Sequence, residues 1–338
     1  MLFCFMPIST AFSDHSAGPA ALCQLLGTRH PIVQGGMVWC TNADLVIAVG
    51  QAGGLGTLGA GSMYPAELRE EIAAVKAGFD GTFAVNVPLL YPAVEEHMQT
   101  IVEMGVPVVI TSAGSPKKWT KFLKDRGIVV VHVVSSAAFA VKSVAAGVDA
   151  VVAEGFEAGG HNGREETTTL CLVPEVVAAV DVPVIAAGGI SCGRTMMAAL
   201  ALGAAGVQMG SRFVATAECP AHEDFKAHVL AAAAGSTKLR LKGVTPVRML
   251  DNTEGGFSAQ VAEAEARSAS PEALRELLGR GRAKRGMRGG DLVEGELEIG
   301  QVSARLDNLP QAGDVVRDVV AGYEALRTQL SGPSFHWS

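Results

Sequence analysis

The sequence predicts an α/β protein of the TIM (β/α)8 barrel class, with a helical insert near its C-terminal side that covers the barrel mouth. Eight short β-branched apolar runs alternate with longer, alanine-rich stretches whose apolar residues follow helical spacing. Strands that are almost continuously apolar, each followed by a helix, indicate a parallel sheet covered on its faces. A doubly wound open sheet is the alternative closure. The count of eight and the absence of a G-x-G-x-x-G turn after the first run favour the barrel.

The predicted elements follow one another in a regular order along the chain. The strands are predicted at residues 31–35, 54–58, 82–87, 107–111, 128–133, 150–154, 183–187 and 206–209. The helices between them are predicted at residues 42–52, 65–77, 92–104, 116–125, 136–146, 173–180 and 193–202. Each helical stretch carries apolar residues three or four positions apart, so that one face of every helix packs on the sheet.

The pattern changes after residue 212. Three further helices are predicted at residues 221–234, 258–267 and 271–278, and an amphipathic stretch at 312–330 is predicted to close the barrel. The expected organisation is a loose N-terminal extension at 1–20, a barrel formed by 21–237 and 301–332, and an insert or lid at 238–300.

Composition narrows the function classes. With 338 residues, 49% of them hydrophobic and 18% charged, the chain can bury a large core and is not a disordered protein. A net charge of -7 argues against a nucleic-acid partner, and no apolar run reaches the ~18 residues that cross a bilayer. Six cysteines without a C-x-x-C pair fit neither a zinc site nor a disulfide scaffold, so we expect reduced thiols and a cytoplasmic location.

Glycine-rich breaks at the ends of three predicted strands are the strongest functional signal. His161 lies among four glycines in residues 154–163, and glycines also follow the strands that end near 187 and 209. Glycine lets a backbone approach a ligand closely, and backbone N–H groups bind phosphate without needing deprotonation. A histidine beside them can exchange protons at neutral pH. The sequence therefore predicts a phosphate-bearing cofactor that faces His161.

These motifs resemble those of the FMN-dependent 2-nitropropane dioxygenase-like family, which includes nitronate monooxygenases and type II enoyl-acyl-carrier-protein reductases. The resemblance lies in the motifs PIVQGGM at 31–37, AGGLG at 52–56, FAVN at 83–86, residues 154–163, AAGGI at 186–190 and QMGSRF at 208–213. It spans roughly residues 22–325, and the six motifs occur in the family order.

The resemblance implies one FMN, His161 as the catalytic residue, and no metal-ligating side chain. The residues implied to bind the cofactor are Gly35, Gly36, Met37, Asn86, Ser112, Glu154, Gly159, Gly160, Ala187, Gly188, Gly189, Met209, Gly210 and Ser211. The backbone of the last glycines would hold the phosphate, and Asn86 would hold the flavin. His132, at the end of a strand, could also reach the flavin. A monovalent cation is implied near the His161 loop.

Finer features favour reduction over oxidation. Residues 85–90, 111–114, 162–170 and 294–301 look more like the enoyl reductases, which use NADH or NADPH on a small-molecule or acyl-carrier-bound thioester. A nitronate monooxygenase is the alternative, and a non-catalytic flavin-binding module is a third reading. The family also implies a homodimer. The basic cluster at 280–288 is interpreted either as a solvated face or as a landing site for an anionic partner.

Overall fold

The computed structural model describes residues 17–253 and 255–332, and the predicted extension falls largely outside them, at residues 1–16. Eight parallel strands form one sheet in the order β1, β9, β8, β6, β5, β4, β3, β2. They are β1 (Ile32–Gln34), β2 (Thr57–Gly59), β3 (Ala84–Pro88), β4 (Val108–Ser112), β5 (Val129–Val134), β6 (Ala150–Glu154), β8 (Val184–Ala187) and β9 (Gly206–Met209). Each overlaps one of the eight predicted runs, and β2, β3, β4 and β5 end one residue later than predicted.

The two edges of this sheet meet, which closes the barrel. Leu55, just before β2, donates its N–H to Ile32 of β1 at 2.8 Å, and Gln34 donates to Leu55 at 2.9 Å. Together these bonds form a parallel bridge between Val33 and Leu55. A doubly wound open sheet would leave β1 and β2 unpaired on their outer sides, so the predicted TIM barrel is confirmed.

Helices cover the outside of the barrel. In chain order they are α1 (Pro19–Leu26), α2 (Ala43–Gln51), α3 (Pro65–Gly78), α4 (Val94–Glu103), α5 (Lys117–Lys124), α6 (Ala137–Ala145), α7 (Thr169–Ala179), α8 (Gly193–Ala201), α9 (Ser211–Val214), α10 (Glu223–Leu230), α11 (Phe257–Ala266), α12 (Pro271–Leu278) and α13 (Ala312–Leu330). Over the two described ranges, no helix is long and apolar enough to cross a membrane.

One helix starts earlier than its sequence indicates. Helix α7 begins at Thr169, four residues before the predicted start, and it contains Pro174. Proline is best tolerated in the first turn of a helix, so the position of Pro174 favours a predicted helix start at residue 173. In the structure the Glu157 carboxylate accepts the Thr169 N–H at 3.0 Å and stabilises the earlier start.

Two apolar layers hold the barrel together. Alternate strand residues such as Val108 and Ile110 fill the barrel interior, while Val109 packs outward against the helices. Helix α1 closes the amino-terminal end, because its buried Leu22 and Leu26 belong to the interior cluster. It starts at Pro19, inside the range 1–20 for which a loose extension is predicted.

The insert near the C-terminus contains a strand pair in addition to its helices. Strands β10 (Thr237–Arg240) and β11 (Val247–Leu250) pair antiparallel, and β11 pairs with the two-residue strand β7 (Gly160–His161). The predicted boundary after residue 237 thus falls within β10. These strands are four residues long and carry charged side chains, so apolar periodicity does not reveal them. Their pairing fixes the insert onto the His161 loop.

Candidate active site

One cavity of about 1010 Å³ opens at the carboxyl ends of the barrel strands. The predicted site residues on its wall are Gly35, Gly36, Met37, Asn86, Ser112, Glu154, Gly159, Gly160, His161, Ala187, Gly188, Gly189, Gly210 and Ser211. Met209 does not line the cavity. Its side chain is buried among apolar residues between barrel and helices, and only its backbone carbonyl approaches the site, accepting the Gly35 N–H at 2.9 Å. Strand alternation points it away from the mouth.

Backbone donors without acceptors form one side of the cavity. The N–H groups of Gly188, Gly189 and Gly210 donate to no acceptor among the described residues. Gly188 and Gly189 have φ of 90° and 74°, which side chains rarely adopt, and a Cβ on Gly188 would lie 2.8 Å from the Gly155 carbonyl oxygen. The Ser211 hydroxyl accepts the Gly300 N–H at 2.8 Å and can still donate its own hydrogen. This cradle suits an anion such as phosphate.

Amide side chains lie on the cavity wall nearer the barrel axis. Asn86 donates from Nδ2 to the Ile110 carbonyl at 3.0 Å, and Gly36 packs so closely that a Cβ there would lie 2.3 Å from Asn86 Cβ. Gln208 lies on the same wall, and its buried Oε1 has no hydrogen-bond partner among the described residues. A buried acceptor without a donor is costly. These amides fit a ligand that brings its own N–H and carbonyl groups, as the ring of FMN does.

Gln208 is absent from the predicted site residues although it falls within the QMGSRF motif. A polar amide in an otherwise apolar strand was the signal available in the sequence, since such a residue needs partners when it is buried.

His161 is placed by backbone pairing and close glycine packing. It lies on β7 opposite Val247 of β11, and its side chain is exposed at the mouth. Gly159 packs so tightly that a Cβ there would lie 2.5 Å from the Gly300 nitrogen, and Gly160 has φ of 75°. The glycines around His161 are therefore required by the packing of the loop as well as by any ligand.

Carboxyl groups face the cavity from two sides. Burial raises the pKa of Glu154 to about 7. Glu298 lies on the wall beside the His161 loop, where a Cβ on Gly160 would meet its Oε2 at 2.6 Å. Burial raises the pKa of Glu298, and burial together with repulsion by Glu298 raises the pKa of Glu296 behind it. These carboxyl groups therefore keep their protons to a higher pH than an exposed glutamate does. Neither Glu296 nor Glu298 is among the predicted site residues.

His132 also lines the cavity, as its position at a strand end allows. Its Nδ1 lies 2.7 Å from the Thr111 hydroxyl, and burial lowers its pKa to about 4. The ring is therefore neutral and fixed in orientation. It can donate one hydrogen bond and accept another, but it does not take up a second proton at neutral pH.

The basic cluster at 280–288 is partly used within the insert. Arg282 pairs with Glu294 at 2.9 Å and donates to the carbonyls of Leu277 and Leu278, while Arg285 pairs with Asp291 at 2.5 Å. Arg282 is turned inward, with 19% of its side chain exposed, whereas Arg285 is 53% exposed and Arg280, Lys284 and Arg288 also face solvent. Most of the cluster therefore agrees with the solvated-face interpretation, and Asp291 and Glu294 of segment 291–298 neutralise Arg285 and Arg282.

Comparisons with known proteins agree with this geometry. The family model described as "Nitronate monooxygenase" matches residues 20–322. A Mycobacterium tuberculosis protein named (3aS,4S,5R,7aS)-5-hydroxy-7a-methyl-1-oxo-octahydro-1H-indene-4-carboxyl-CoA dehydrogenase is 33% identical, over 88% of this chain and 94% of its own length. A probable nitronate monooxygenase of Staphylococcus saprophyticus is 35% identical, over 60% of this chain and 70% of its own length.

Two solved structures share the whole architecture. FabK from Thermotoga maritima superposes with a TM-score of 0.86 at 38% identity, covering 91% of this chain and 97% of that one. A nitroalkane oxidase from Streptomyces ansochromogenes gives a TM-score of 0.78 at 28% identity, covering 92% and 99%. Relatives and neighbours alike are oxidoreductases, and so is this protein. The match of the family model to nearly the whole chain shows that it belongs to the nitronate monooxygenase family.

Proposed function

We propose that this protein is an FMN-dependent reductase that transfers electrons from NADH or NADPH to the double bond of an enoyl thioester. The observation that carries the proposal is the cavity itself, which has an N–H cradle on one side and carboxyl groups of raised pKa beside His161 on another. Reduction of a carbon–carbon double bond consumes a proton as well as a hydride, and these groups can supply it. Oxidation of a nitronate by oxygen requires no such acid.

We assign residues to the cofactor by the polar groups that they leave free in the cavity. Gly188, Gly189 and Gly210 would hold the phosphate through their N–H groups, and Gln208 and Asn86 would bind the polar edge of the ring. FMN, when bound, supplies the hydride-transfer chemistry. Gly36 has no side chain to block the ring, and the thioether of Met37 can lie against an aromatic face.

Proton transfer falls to His161 and the carboxyl groups of the same wall. His161 lies at the mouth, where a substrate enters. The Glu298 carboxyl group is adjacent to the α-carbon of Gly160, which directly precedes His161 in the chain. A carboxyl group of raised pKa holds its proton near neutral pH and can donate it to the substrate or reprotonate the histidine. Glu154, on a different strand end, would accept or donate a hydrogen bond to the cofactor.

Relatives support a thioester as the substrate. The Mycobacterium tuberculosis relative is named for a carboxyl-CoA compound, and the similarity to FabK covers nearly the full length of both chains. We further propose a homodimer in the cytoplasm and a monovalent cation near the His161 loop. The domain limits 21–237, 238–300 and 301–332 also stay predictions.

A nitronate monooxygenase is the second candidate, favoured by the similarity to the Staphylococcus protein and to the nitroalkane oxidase structure. Anaerobic stopped-flow absorbance of the FMN-loaded protein separates the two. Under the proposal, NADH or NADPH bleaches the flavin rapidly and an enoyl thioester restores its colour. Bleaching by an alkyl nitronate alone, with no response to NADH or NADPH, would refute the reductase.

A further inference from the structure

The rim of the cavity between β4 and α6 has a charge opposite to that of the whole protein. Residues 115–148 carry six Lys and Arg side chains and one acidic side chain, although the net charge of the chain is -7. Ser115, Phe139 and Lys142 line the mouth of the cavity, and Lys117, two residues after Ser115, begins α5. A local positive field of this kind attracts anionic ligands to the opening.

Three of these six cations have no acidic partner among the described residues, and one of them, Arg126, packs on the Phe122 ring and does not line the cavity. Lys118, Lys121 and Lys124 pair with Glu95, Asp125 and Asp149. Among the residues described by the structure, Lys117 and Lys142 form no salt bridge, and both are exposed. The charge available to a ligand is therefore concentrated at the mouth and not along the outer face of α5.

The loop between β4 and α5 adds further donors. Ala113 and Gly114 have φ of 51° and 141°, and the N–H groups of residues 113–115 donate to no acceptor within the described ranges. Successive free N–H groups in such a turn form a concave anion site. The Ser115 hydroxyl accepts the Lys117 N–H at 3.5 Å and keeps its own hydrogen for a ligand.

An exposed aromatic ring completes the rim. Phe139 is 46% exposed at the mouth, and Lys142 Nζ lies 5.4 Å from its ring centroid. A large apolar ring left open to water beside a cation offers stacking for a flat heterocycle next to a contact for a phosphate.

We propose that this rim, formed by residues 113–117, Phe139 and Lys142, binds the adenosine diphosphate group of a substrate. The adenine would stack on Phe139, and the pyrophosphate would contact Lys142, Lys117 and the N–H groups of the β4–α5 loop. The inference rests on the proposed function, in which both the acyl-CoA form of the thioester and the nicotinamide dinucleotide carry this group. It also places the anionic landing site away from Arg282 and Arg285.

The first test measures binding without turnover. ADP is titrated into the FMN-loaded protein by isothermal calorimetry, with variants Lys142→Gln, Lys117→Gln and Phe139→Ala. Loss of one charge-assisted contact should raise the ADP dissociation constant on the order of tenfold. Loss of stacking on Phe139 should raise it roughly fivefold or more. The matched control Lys121→Gln lies on α5 outside the cavity wall and should leave ADP affinity unchanged. Equal affinity in all four variants, or no ADP binding by the wild type, overturns the proposal.

The second test identifies the source of the group and separates this inference from the proposed function. The KM of enoyl-CoA is compared with that of the enoyl-pantetheine thioester, which lacks the nucleotide. The KM values of NADH and NADPH are also measured, and every measurement is made on wild type and on the rim variants. A KM advantage of enoyl-CoA that shrinks in Lys142→Gln assigns the rim to CoA, whereas a raised KM for the dinucleotide assigns it to the electron donor. If neither thioester is reduced but ADP binding still depends on Lys142, the proposed function fails and the rim site stands. If both thioesters are reduced with equal KM values and the variants change no KM, the rim site fails alone.

Discussion

Replacing Gly210 by alanine tests the phosphate cradle with little damage to the fold. Gly210 has φ of -104°, which alanine adopts readily, and a Cβ there would meet only Met37, at 3.6 Å from Sδ. Surface and cavity substitutions of this kind change stability by about 0.5 kcal/mol or less. The added methyl group would project beside a free N–H where the cofactor phosphate is proposed to lie.

The expected loss follows from one displaced hydrogen bond to a charged group. Such a bond contributes about 1.5–3 kcal/mol, which corresponds to roughly tenfold to hundredfold weaker FMN binding. The apo protein is titrated with FMN, and the dissociation constant is read from quenching of flavin fluorescence. Thermal unfolding of the apo protein, measured in parallel, should show an unchanged Tm.

Two further glycines serve as references for this experiment. Gly18→Ala adds a methyl group with no atom within 4 Å, far from the cavity, and should change neither FMN affinity nor Tm. Gly188→Ala forces φ of 90° on a side chain and places a Cβ 2.8 Å from a carbonyl oxygen, so it should lower Tm as well as affinity. An unchanged FMN dissociation constant in Gly210→Ala would show that the phosphate does not lie against this backbone.

Three other predictions address the remaining groups. His161→Ala should lower turnover of the enoyl thioester roughly 10²–10⁴-fold, while anaerobic bleaching by NADH or NADPH persists; equal loss of both half-reactions would contradict a proton-transfer role. Because burial raises the pKa of Glu154 to about 7, the folded apo protein holds a proton that the unfolded chain releases near pH 4.5. Its free energy of unfolding should therefore fall as pH rises from about 4.5 to 7, by up to about 3 kcal/mol, and denaturant titrations of Glu154→Gln should show a smaller fall. If the unfolding free energy of Glu154→Gln depends on pH as that of the wild type does, the proton is held by a group other than Glu154. Arg282→Gln removes the partner of the Glu294 carboxylate and hydrogen bonds to the carbonyls of Leu277, Leu278 and Glu294, so Tm should fall by an amount equivalent to about 1–3 kcal/mol. If Tm is unchanged and the KM for NADH or NADPH rises, Arg282 contacts the electron donor and does not stabilise the insert.

Much of the architecture could be predicted because its determinants are local. β-Branched runs such as 150–154 and the helical spacing in 193–202 specify strands and helices within a few residues of chain. Their number and alternation then leave few ways to bury both faces of a parallel sheet. The glycines at 188, 189 and 210 could also be interpreted from the sequence, since few residues other than glycine fit a backbone that turns sharply at a strand end.

Other features depend on contacts between distant parts of the chain, and these were missed. Glu298 reaches the cavity because Leu250, the last residue of β11, donates its N–H to Leu297, which brings residues 297–299 beside the His161 loop. Arg282 is neutralised because residues 291–298 fold back on it. Met209 is turned away from the cavity although its neighbours on both sides line the wall.

Turn chemistry and apolar periodicity are properties of short segments, so the fold and the family could be read from the sequence, and a glycine-lined pocket could be predicted from it. Which charges face the cavity and which are cancelled within the insert depends on the tertiary structure. A charge acts through space over several ångströms, so its role depends on partners that are distant along the chain, as Glu298 is from the His161 loop that it lies beside. The rim at Lys117 and Lys142 shows the same dependence. Its lysines resemble their paired neighbours in sequence, and only the positions of Glu95, Asp125 and Asp149 distinguish them.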